Sequence, residues 1–505
     1  MAKRKREYFS EEHRAQWKTR TGFIFAAIGS AVGLGNIWRF SYLAYEHGGG
    51  AFLIPYFAAL FIVGIPLMIL EFGIGHRERG SAPKSFHSIS GRFEWLGWWP
   101  VIFVMFGIVV YYSVVISWCV NYLFYSFNLA WGADPNSFFF NDFLQLSSGP
   151  GDITGFSRPI LSGLLLVWFL NWLIVYAGVE KGIERATKIL MPALFLMIIA
   201  LAIWALTLPN AAEGVKQYLR PDFSALGDTG VWMAAFSQIF FTLSLGFGIM
   251  IAYASYLPRK TDLAGNAYVI SIGNCIFSLI AGLAVFGTLG YMAGVRGVGV
   301  GEVVDQSVGL AFVAYPQAIS IIPAFPHIFG VLFFGILVFA GLSSSISIVE
   351  AFASSVMDKF HYSRKSVVSV LCLAGFLGGI IFTTGAGLHW LDITDHFLTN
   401  YGLTVVAILE CVVAAWLIKT SRMRKYINSV STLKTGKWWE YSIGFITPAI
   451  LAYFFITGLY GEIISPYGGY PIRWLLLIGY GWLIITLLAA VAVSKIRWRH
   501  EKNEV

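Results

Sequence analysis

The chain has 505 residues, of which 57% are hydrophobic and only 12% are charged, and its mean hydropathy is +0.70. Soluble globular proteins carry about 25% charged residues, so the composition excludes a chain that meets water over most of its surface. A net charge of +8 is compatible with nucleic-acid binding, but the positions of the basic residues favour a different explanation.

Apolar stretches, numbered as spans 1 to 12, are each long enough to cross a bilayer core of about 30 Å. In chain order they cover 21–45, 51–76, 97–126, 159–177, 187–208, 230–256, 264–294, 327–357, 366–386, 395–418, 442–462 and 472–494. No soluble domain is predicted between them. The longest loops cover 127–158 and 295–326, and the apolar residues of the second make it a candidate to fold back as a lid.

The basic residues divide unevenly between the two sides of the membrane that these spans define. With the N-terminus in the cytoplasm, 29 of the 35 Lys and Arg residues lie on the inner side, five lie in outer loops, and Arg39 lies within span 1. Positive charge accumulates on the cytoplasmic side of membrane proteins. The net charge therefore orients the chain, with both termini cytoplasmic, and implies no nucleic-acid partner.

Cysteine usage and processing signals favour a prokaryotic membrane. All four cysteines lie within spans, which predicts no extracellular disulfide. The chain has no Asn-x-Ser/Thr sequon, and its basic head enters span 1 without a small-residue cleavage site. We therefore expect a multi-pass protein of the cytoplasmic membrane of a bacterium or archaeon.

Spans 1 and 6 are interrupted by glycine-rich segments, Ala31–Asn36 and Thr242–Gly248. Each glycine weakens a helix by roughly 1 kcal/mol relative to alanine, and Asn36 and Arg39 place polar groups where lipid offers no partners. The two spans are five apart, so the second enters the membrane from the opposite side. Matched interruptions of this kind indicate an inverted-repeat transporter whose binding site lies where the breaks meet. A single glycine-rich span would more simply be a helix-packing surface.

This repeat predicts the organisation of an all-α polytopic membrane protein. The predicted units are an N-terminal tail with an inner gate (1–20), a first repeat of spans 1–5 (21–208), an outer loop (209–229), a second repeat of spans 6–10 (230–418), spans 11–12 (419–494) and a cytoplasmic tail (495–505).

Several segments resemble the neurotransmitter:sodium symporter family, and most closely its prokaryotic amino-acid transporters. They are Ala31–Phe40, Gly48–Phe52, Gln238–Gly248, Tyr253–Tyr256 and Ala340–Ser345. The resemblance follows nearly the whole chain in order. It implies a LeuT-type fold of about 12 transmembrane helices, with a 5+5 inverted repeat, broken helices 1 and 6, and two additional C-terminal helices. This chain has Ser41 where the family usually has proline, a change that softens the outer half of span 1 but removes no ligand.

The resemblance also implies two sodium sites. The first would use the carbonyl of Ala31 and the side chains of Asn36, Thr242 and Asn274, completed by the carboxylate of the substrate. The ligands of the second would be the carbonyls of Gly29, Val32 and Ala340 and the hydroxyls of Ser343 and Ser344. The alternative for Ser343–Ser345 is that they only pack helices or bond backwards to carbonyls.

By the same resemblance, the substrate would lie between the two breaks. The carboxylate of the substrate would meet the amides near Leu34 and Gly35. The side chain of the substrate would lie among aromatic and aliphatic residues, whose alternative role is ordinary helix packing. Monoamine carriers of the family have an aspartate where this chain has Gly33, so an amino acid is implied, and a pocket without formal charge favours a neutral one. The implied substrate residues are Ser30, Ala31, Gly33, Leu34, Gly35, Ile108, Tyr112, Phe241, Thr242, Ser244, Phe247, Ser344 and Ile348.

A chloride site is also implied. Many prokaryotic relatives have a glutamate at the position of Ser278, whereas animal relatives with serine there bind chloride. The implied anion ligands are Tyr56, Gln238, Thr242 and Ser278. The alternative is that another acid, or a proton, balances the charge of the sodium ions.

Charged residues at the span ends match the gates of the family. Arg39 and Asp395 match its outer pair, and Arg14 and Asp358 its inner pair. Trp17 and Tyr256 would close around the inner pair, although Arg14 could equally be a positive-inside anchor. Glu71 is a further buried acid, which we expect to bond unwound backbone rather than to move ions.

The sequence thus predicts a sodium-coupled symporter that imports a neutral amino acid by alternating access and is stimulated by chloride. The alternatives are a sodium-coupled carrier of a compatible solute or of a γ- or β-amino acid and, more remotely, a ligand-gated channel or sensor. An enzyme is not supported, because the chain has no nucleophile–base pair, His-Glu-x-x-His motif or phosphate loop. The expected partners are the substrate and the lipid bilayer, with no required protein partner.

Overall fold

The computed structural model describes residues 15–304 and 307–499, and over these ranges the chain is helical. Isolated β-bridges join Gly49 to Pro221 and Phe156 to Thr384, and no β-strand forms in the described part of the chain. Ten continuous helices there are long and apolar enough to cross a membrane, and a bent pair in span 1 makes an eleventh. Span 6 is the twelfth and consists of two shorter helices. The expected polytopic all-α fold is confirmed.

The observed spans follow the predicted order. They are Arg20–Ala31 with Leu34–Glu46, Gly50–Glu78, Gly91–Tyr125, Arg158–Tyr176, Val179–Thr207, Thr229–Thr242 with Ile249–Ser255, Leu263–Arg296, Pro326–Phe360, Arg364–Thr383, Gly387–Ile418, Lys437–Gly469 and Ile472–Lys495. Shorter helices between them are Ala82–Ile89, Ala211–Leu219, Leu310–Ser320 and Thr420–Val430. The largest differences from prediction lie at the starts of spans 5 and 10, each of which begins eight residues earlier than expected.

Span 1 breaks where glycine and polar residues interrupt its apolar sequence. The first helix ends at Ala31, Val32 and Gly33 are extended, and one 3₁₀ turn over Leu34–Asn36 leads into the second half at an angle of 72°. Asn36 Oδ1 accepts from the amide of Gly33 at 2.8 Å and so replaces a lost helical bond. Beyond the break the helix continues over Trp38–Glu46, and the Ser41 hydroxyl donates to the carbonyl of Ile37 within it.

Span 6 breaks over the six residues between Thr242 and Ile249. Gly246 and Gly248 both have φ of +74°, a conformation that a side chain would strain. At Gly248 a Cβ atom would also lie 2.8 Å from Val101 Cγ1. Glycine at these two positions therefore permits the unwound backbone, in which Ser244 also has a positive φ of +53°.

The two broken spans lie inside the bundle. The first half of span 1 packs against spans 5, 7 and 8, and the second half of span 6 packs against span 2. Spans 3 and 8 bury 89% and 83% of their apolar windows, whereas spans 11 and 12 bury only 22% each. The broken spans thus have a protein environment for their freed backbone groups, and the last two spans present apolar side chains outward for lipid.

The loop that was a candidate lid packs into the bundle instead. Its helix Leu310–Ser320 is mostly buried, with Phe312 against Trp38, Trp118 and Phe139. It does not line either of the two cavities described below.

Candidate functional site

The residues proposed for the first sodium site lie together at the break of span 1. Asn36 Nδ2 is 2.8 Å from each of three oxygens, Thr242 Oγ1, Asn274 Oδ1 and Ser278 Oγ. Thr242 Oγ1 lies 3.2 Å from Asn274 Oδ1 and 3.5 Å from the carbonyl oxygen of Ala31. All five of these residues are buried. Oxygens from spans 1, 6 and 7 thus surround one point.

That point is suited to a cation because it is occupied by a positively polarised amide NH₂ group. The Asn36 oxygen is turned away, toward the amide of Gly33. A cation that displaced this NH₂ group would have oxygen ligands from Thr242, Asn274 and Ala31, and the Asn36 side chain would have to withdraw and present its oxygen to complete the site. Unwound carbonyls and side-chain oxygens of this type coordinate sodium in transporters with broken helices.

The residues proposed for the second site also converge, around the hydroxyl of Ser344. Ser344 Oγ lies 3.2 Å from the carbonyl oxygens of Gly29, Ser30 and Ala340 and 3.4 Å from that of Val32. One hydroxyl proton can satisfy only one of these four acceptors at a time. The excess of carbonyl oxygen makes this position suitable for a cation.

Backward bonding, the alternative for the serines, is also present. Ser343 Oγ donates to the carbonyl of Ala340 at 2.9 Å, and Ser345 Oγ lies 2.9 Å from Asn171 Oδ1. Ser345 therefore points away from the break and belongs to helix packing. Ser343 and Ser344 remain beside the carbonyls of span 1.

A cavity lies between the two oxygen clusters, and every residue proposed for the substrate lines it. Ile249, the first residue after the break of span 6, was missed by the sequence analysis and also lines it, as does Asn36. The cavity offers about 40 Å³ to the centres of water-sized molecules. Its lining carries no formally charged side chain: Ser30, Ala31, Gly33, Leu34, Gly35, Asn36, Ile108, Tyr112, Phe241, Thr242, Ser244, Phe247, Ile249, Ser344 and Ile348.

Polar groups at one end of the cavity are arranged to bind an anionic group. The amide of Leu34 donates to Tyr112 Oη at 3.2 Å, where the backbone of span 1 is unwound. A Cβ atom on Gly33 would lie 3.0 Å from the same hydroxyl. The amide and the hydroxyl can both donate to a carboxylate placed between them, and the absent side chain of Gly33 leaves room for it.

A second, much larger cavity lies on the predicted outer side of Phe241, and the ring of Phe241 lines both cavities. It offers about 430 Å³ and is lined by residues that include Arg39, Phe240 and His396. The Arg39 guanidinium lies 5.4 Å from the centre of the Phe241 ring, and its Nη2 is 3.4 Å from Ser237 Oγ. We call this larger cavity the vestibule, and Phe241 separates it from the smaller cavity.

The proposed outer pair is not joined in this conformation. Among the ion pairs within residues 15–304 and 307–499, none links Arg39 to Asp395. Asp395 instead accepts a hydrogen bond from Tyr111, while Arg39 faces the ring of Phe241. Both groups therefore have other partners, and their role as a gate stays a prediction.

The predicted inner side is covered by Trp17. This side chain is only 3% exposed, its indole donates to the carbonyl of Tyr253 at 2.9 Å, and its amide donates to that of Tyr256 at 3.1 Å. Asp358 accepts from the amide of Ser81. Arg14 lies outside the described residues, so its proposed pairing with Asp358 stays a prediction.

An ion pair that the sequence analysis missed supports this inner cover. Tyr256 donates to Glu350 Oε1 at 2.8 Å, and Glu350 also accepts from Arg364 at 2.6 and 2.8 Å. The signal was available, since Glu350 is an acid inside an apolar span and such residues need a partner.

The residues proposed for chloride cluster beside the first sodium site. The Tyr56 hydroxyl is fully buried beside Cys275 and Ser278, and neither it nor Asn274 Nδ2 makes a hydrogen bond of good geometry to any residue that the structure describes. Gln238 Nε2 is 3.5 Å from the carbonyl of Gly35. A buried donor without an acceptor costs about 1–3 kcal/mol. Two such donors fit an anion, which would accept from both.

Glu71 bonds unwound backbone, as expected. Its Oε1 accepts from the amide of Gly246 at 2.8 Å, within the break of span 6.

Comparisons with known proteins agree with this geometry. The model of the sodium:neurotransmitter symporter family matches residues 14–138 and 133–501. The uncharacterized sodium-dependent transporter MJ1319 of Methanocaldococcus jannaschii is 49% identical over 95% of this chain and 97% of its own length. The sodium- and chloride-dependent taurine transporter of Canis lupus familiaris is 30% identical, over 93% and 82% respectively. The crystal structure of MhsT in complex with L-phenylalanine is 35% identical, with a TM-score of 0.76, and the match covers 88% of this chain and 100% of that one.

Proposed function

The chain belongs to the sodium:neurotransmitter symporter family, and on that premise we propose that it imports a neutral amino acid together with sodium by alternating access. The family consists of transporters, so the chain is a sodium-dependent membrane transporter rather than an enzyme. The observation that carries the proposal is the uncharged cavity between two clusters of backbone and side-chain oxygens.

Two sodium ions are proposed, one at each oxygen cluster. Ala31 and Thr242 belong both to the first cluster and to the lining of the cavity, as Ser344 does for the second. A substrate carboxylate near Leu34 would therefore lie next to the first ion. Each would raise the affinity for the other, which is a physical basis for coupling.

A neutral amino acid satisfies the polar groups of the cavity. Its carboxylate would accept from the Leu34 amide and the Tyr112 hydroxyl, and its ammonium would meet carbonyls around Phe241, Thr242 and Ser244. A charged side chain would have no counter-charge within the lining. The solved relative MhsT, bound to L-phenylalanine, is consistent with an amino acid.

A carrier of a β-amino acid or compatible solute is the second candidate. The relatives at about 30% identity include taurine transporters and the creatine transporter of Torpedo marmorata. The test below therefore includes taurine and creatine as well as neutral amino acids.

We propose the cytoplasmic membrane of a prokaryote as the location, with both termini inside. An inside-negative potential would then favour sodium entry by about 2.3 kcal/mol per elementary charge per 100 mV. The archaeal relative and the uneven distribution of basic residues support this orientation.

The proposal is tested by uptake into proteoliposomes with a panel of labelled neutral amino acids, taurine, creatine and glycine betaine. We expect accumulation of at least one neutral amino acid under an inward sodium gradient, and none when potassium replaces sodium. Equal uptake with and without a sodium gradient would refute sodium coupling. Uptake of taurine or betaine alone would establish the second candidate.

Chloride stimulation is proposed from the unpartnered donors near Ser278. With gluconate in place of chloride, we expect wild-type uptake to fall by about tenfold, which corresponds to about 1.4 kcal/mol. Ser278→Glu should transport equally in both anions, because a fixed carboxylate replaces the mobile anion.

Ser278→Ala is the matched control for that substitution. It removes the hydroxyl without adding charge, so its uptake should be weak in both anions. Equal wild-type uptake in chloride and gluconate, together with no effect of Ser278→Glu, would exclude a chloride site here.

A further inference from the structure

Two carboxyl groups are fully buried beside the break of span 6 and have no role in the proposed ion or substrate sites. Glu71 lies on span 2 and Glu410 on span 10, and both are 0% exposed. Glu71 Oε1 accepts from the amide of Gly246. The other oxygen of Glu71 and both oxygens of Glu410 have no hydrogen-bond partner among the described residues.

No cation balances this pair. None of the ion pairs within residues 15–304 and 307–499 includes Glu71 or Glu410. Glu71 binds the amide of Gly246, and Gly246 packs against Val406, which lies one helical turn before Glu410 on the same face of span 10. The two carboxyls therefore lie in the same part of the interior, and the buried thiol of Cys411 is next to Glu410. Span 2 also packs against the helix Thr420–Val430, which carries Arg422, Arg424 and Lys425. Within the described ranges Arg424 pairs with Glu440, and no base of this helix forms an ion pair with Glu71 or Glu410.

Two adjacent carboxylates cannot both remain ionised in such a place. Burial penalises each charge, and the repulsion between like charges adds to that penalty. Protonation removes the charge and turns an unpartnered oxygen into a donor for the neighbouring carboxyl. We propose that Glu71 and Glu410 form a proton-binding site that holds at least one proton in the conformation described, in which Trp17 covers the predicted inner side.

The position of the site links it to the movement of span 6. Gly246, whose amide binds Glu71, packs against span 10: a Cβ atom there would lie 3.4 Å from the carbonyl oxygen of Leu403 and 3.7 Å from Val406 Cγ1. Any displacement of the broken segment from span 10 changes the surroundings of both acids. By linkage, a proton bound in the present conformation favours that conformation as the pH falls.

Infrared difference spectroscopy of the purified, reconstituted protein tests the site directly. Titration from about pH 5.5 to about pH 9 should remove a carbonyl-stretching band of a protonated, membrane-buried carboxylic acid, and the same band should shift in deuterium oxide because its proton exchanges with solvent. Glu410→Gln should lack that band, and Glu71→Gln should lose or shift it. Glu213→Gln, at an exposed acid paired with Lys216, is the matched control and should retain the band.

Thermal unfolding provides a second readout that does not depend on transport. A proton held by the folded but not the unfolded chain makes stability fall as the pH rises. We therefore expect the midpoint of unfolding to decrease between about pH 6 and about pH 9 in the wild type, and to decrease at most half as much in Glu410→Gln. If both Gln variants keep the wild-type band and the wild-type pH slope, the pair holds no proton and the proposal is wrong. Sodium-driven uptake can persist in either case, so this result is separate from the test of the proposed function.

Discussion

Substitution of Asn36 by alanine is expected to abolish sodium-driven uptake and to remove the stabilisation of the protein by sodium. Its amide contacts oxygens of Thr242, Asn274 and Ser278, and its oxygen accepts from the amide of Gly33. Each buried group left without a partner costs about 1–3 kcal/mol. We therefore expect the loss of Asn36 to lower the affinity for sodium by about tenfold to a hundredfold.

Sodium-dependent thermal stability measures this effect without knowledge of the substrate. The midpoint of unfolding should rise with added sodium chloride in the wild type, relative to potassium chloride, and should not rise in Asn36→Ala. Asn141→Ala is the matched control, because Asn141 is exposed in the short helical segment Phe138–Phe143 between spans 3 and 4 and donates to Ser137 Oγ. An Asn36→Ala protein stabilised by the same sodium concentrations as the wild type would remove Asn36 from the sodium site.

The breaks in spans 1 and 6 were predictable because their causes are local. Glycine and polar residues interrupt otherwise apolar stretches, and the unwound backbone appears at those residues. The same breaks bring residues distant in sequence to one cavity, which is why a resemblance carried by short segments identified its lining so completely.

The start of span 10 was missed because its cause is not local. The helix begins at Gly387 and includes Asp392, a residue too polar for a predicted span. Its carboxylate accepts from the hydroxyls of Tyr467 and Tyr470, at 2.8 and 3.0 Å. These partners lie about 75 residues later in the chain, so periodicity and composition around Asp392 could not indicate them.

Partner choice among charged residues was the least predictable feature. Arg39 faces an aromatic ring, Asp395 accepts from a tyrosine, and the buried acid Glu350 pairs with Arg364. Side-chain pairing depends on which conformation the bundle adopts, and the sequence is the same in every conformation, so it does not indicate which pairs form in this one. The present arrangement, with an open vestibule and a covered inner side, explains why the proposed outer pair is apart.

Substitution of Gly33 by alanine should reduce uptake by at least about tenfold while leaving the stabilisation by sodium largely intact. The added methyl group would lie 3.0 Å from the hydroxyl of Tyr112 and 3.4 Å from that of Ser344. The closer contact requires the Tyr112 ring to move away from the amide of Leu34, to which it is bonded. The groups proposed to bind the substrate carboxylate would then no longer converge.

Comparison of uptake with sodium-dependent stability separates the substrate site from the ion sites in this variant. Gly444→Ala is the matched control, because a Cβ atom at that position of span 11 has no neighbour within 4 Å and Gly444 lines neither cavity. Uptake by Gly33→Ala at the wild-type rate would show that a carboxylate does not need this space. Loss of both uptake and sodium stabilisation would instead indicate that the methyl group disturbs the second oxygen cluster through Ser344. Loss of uptake alone is the result that a substrate carboxylate beside Gly33 requires.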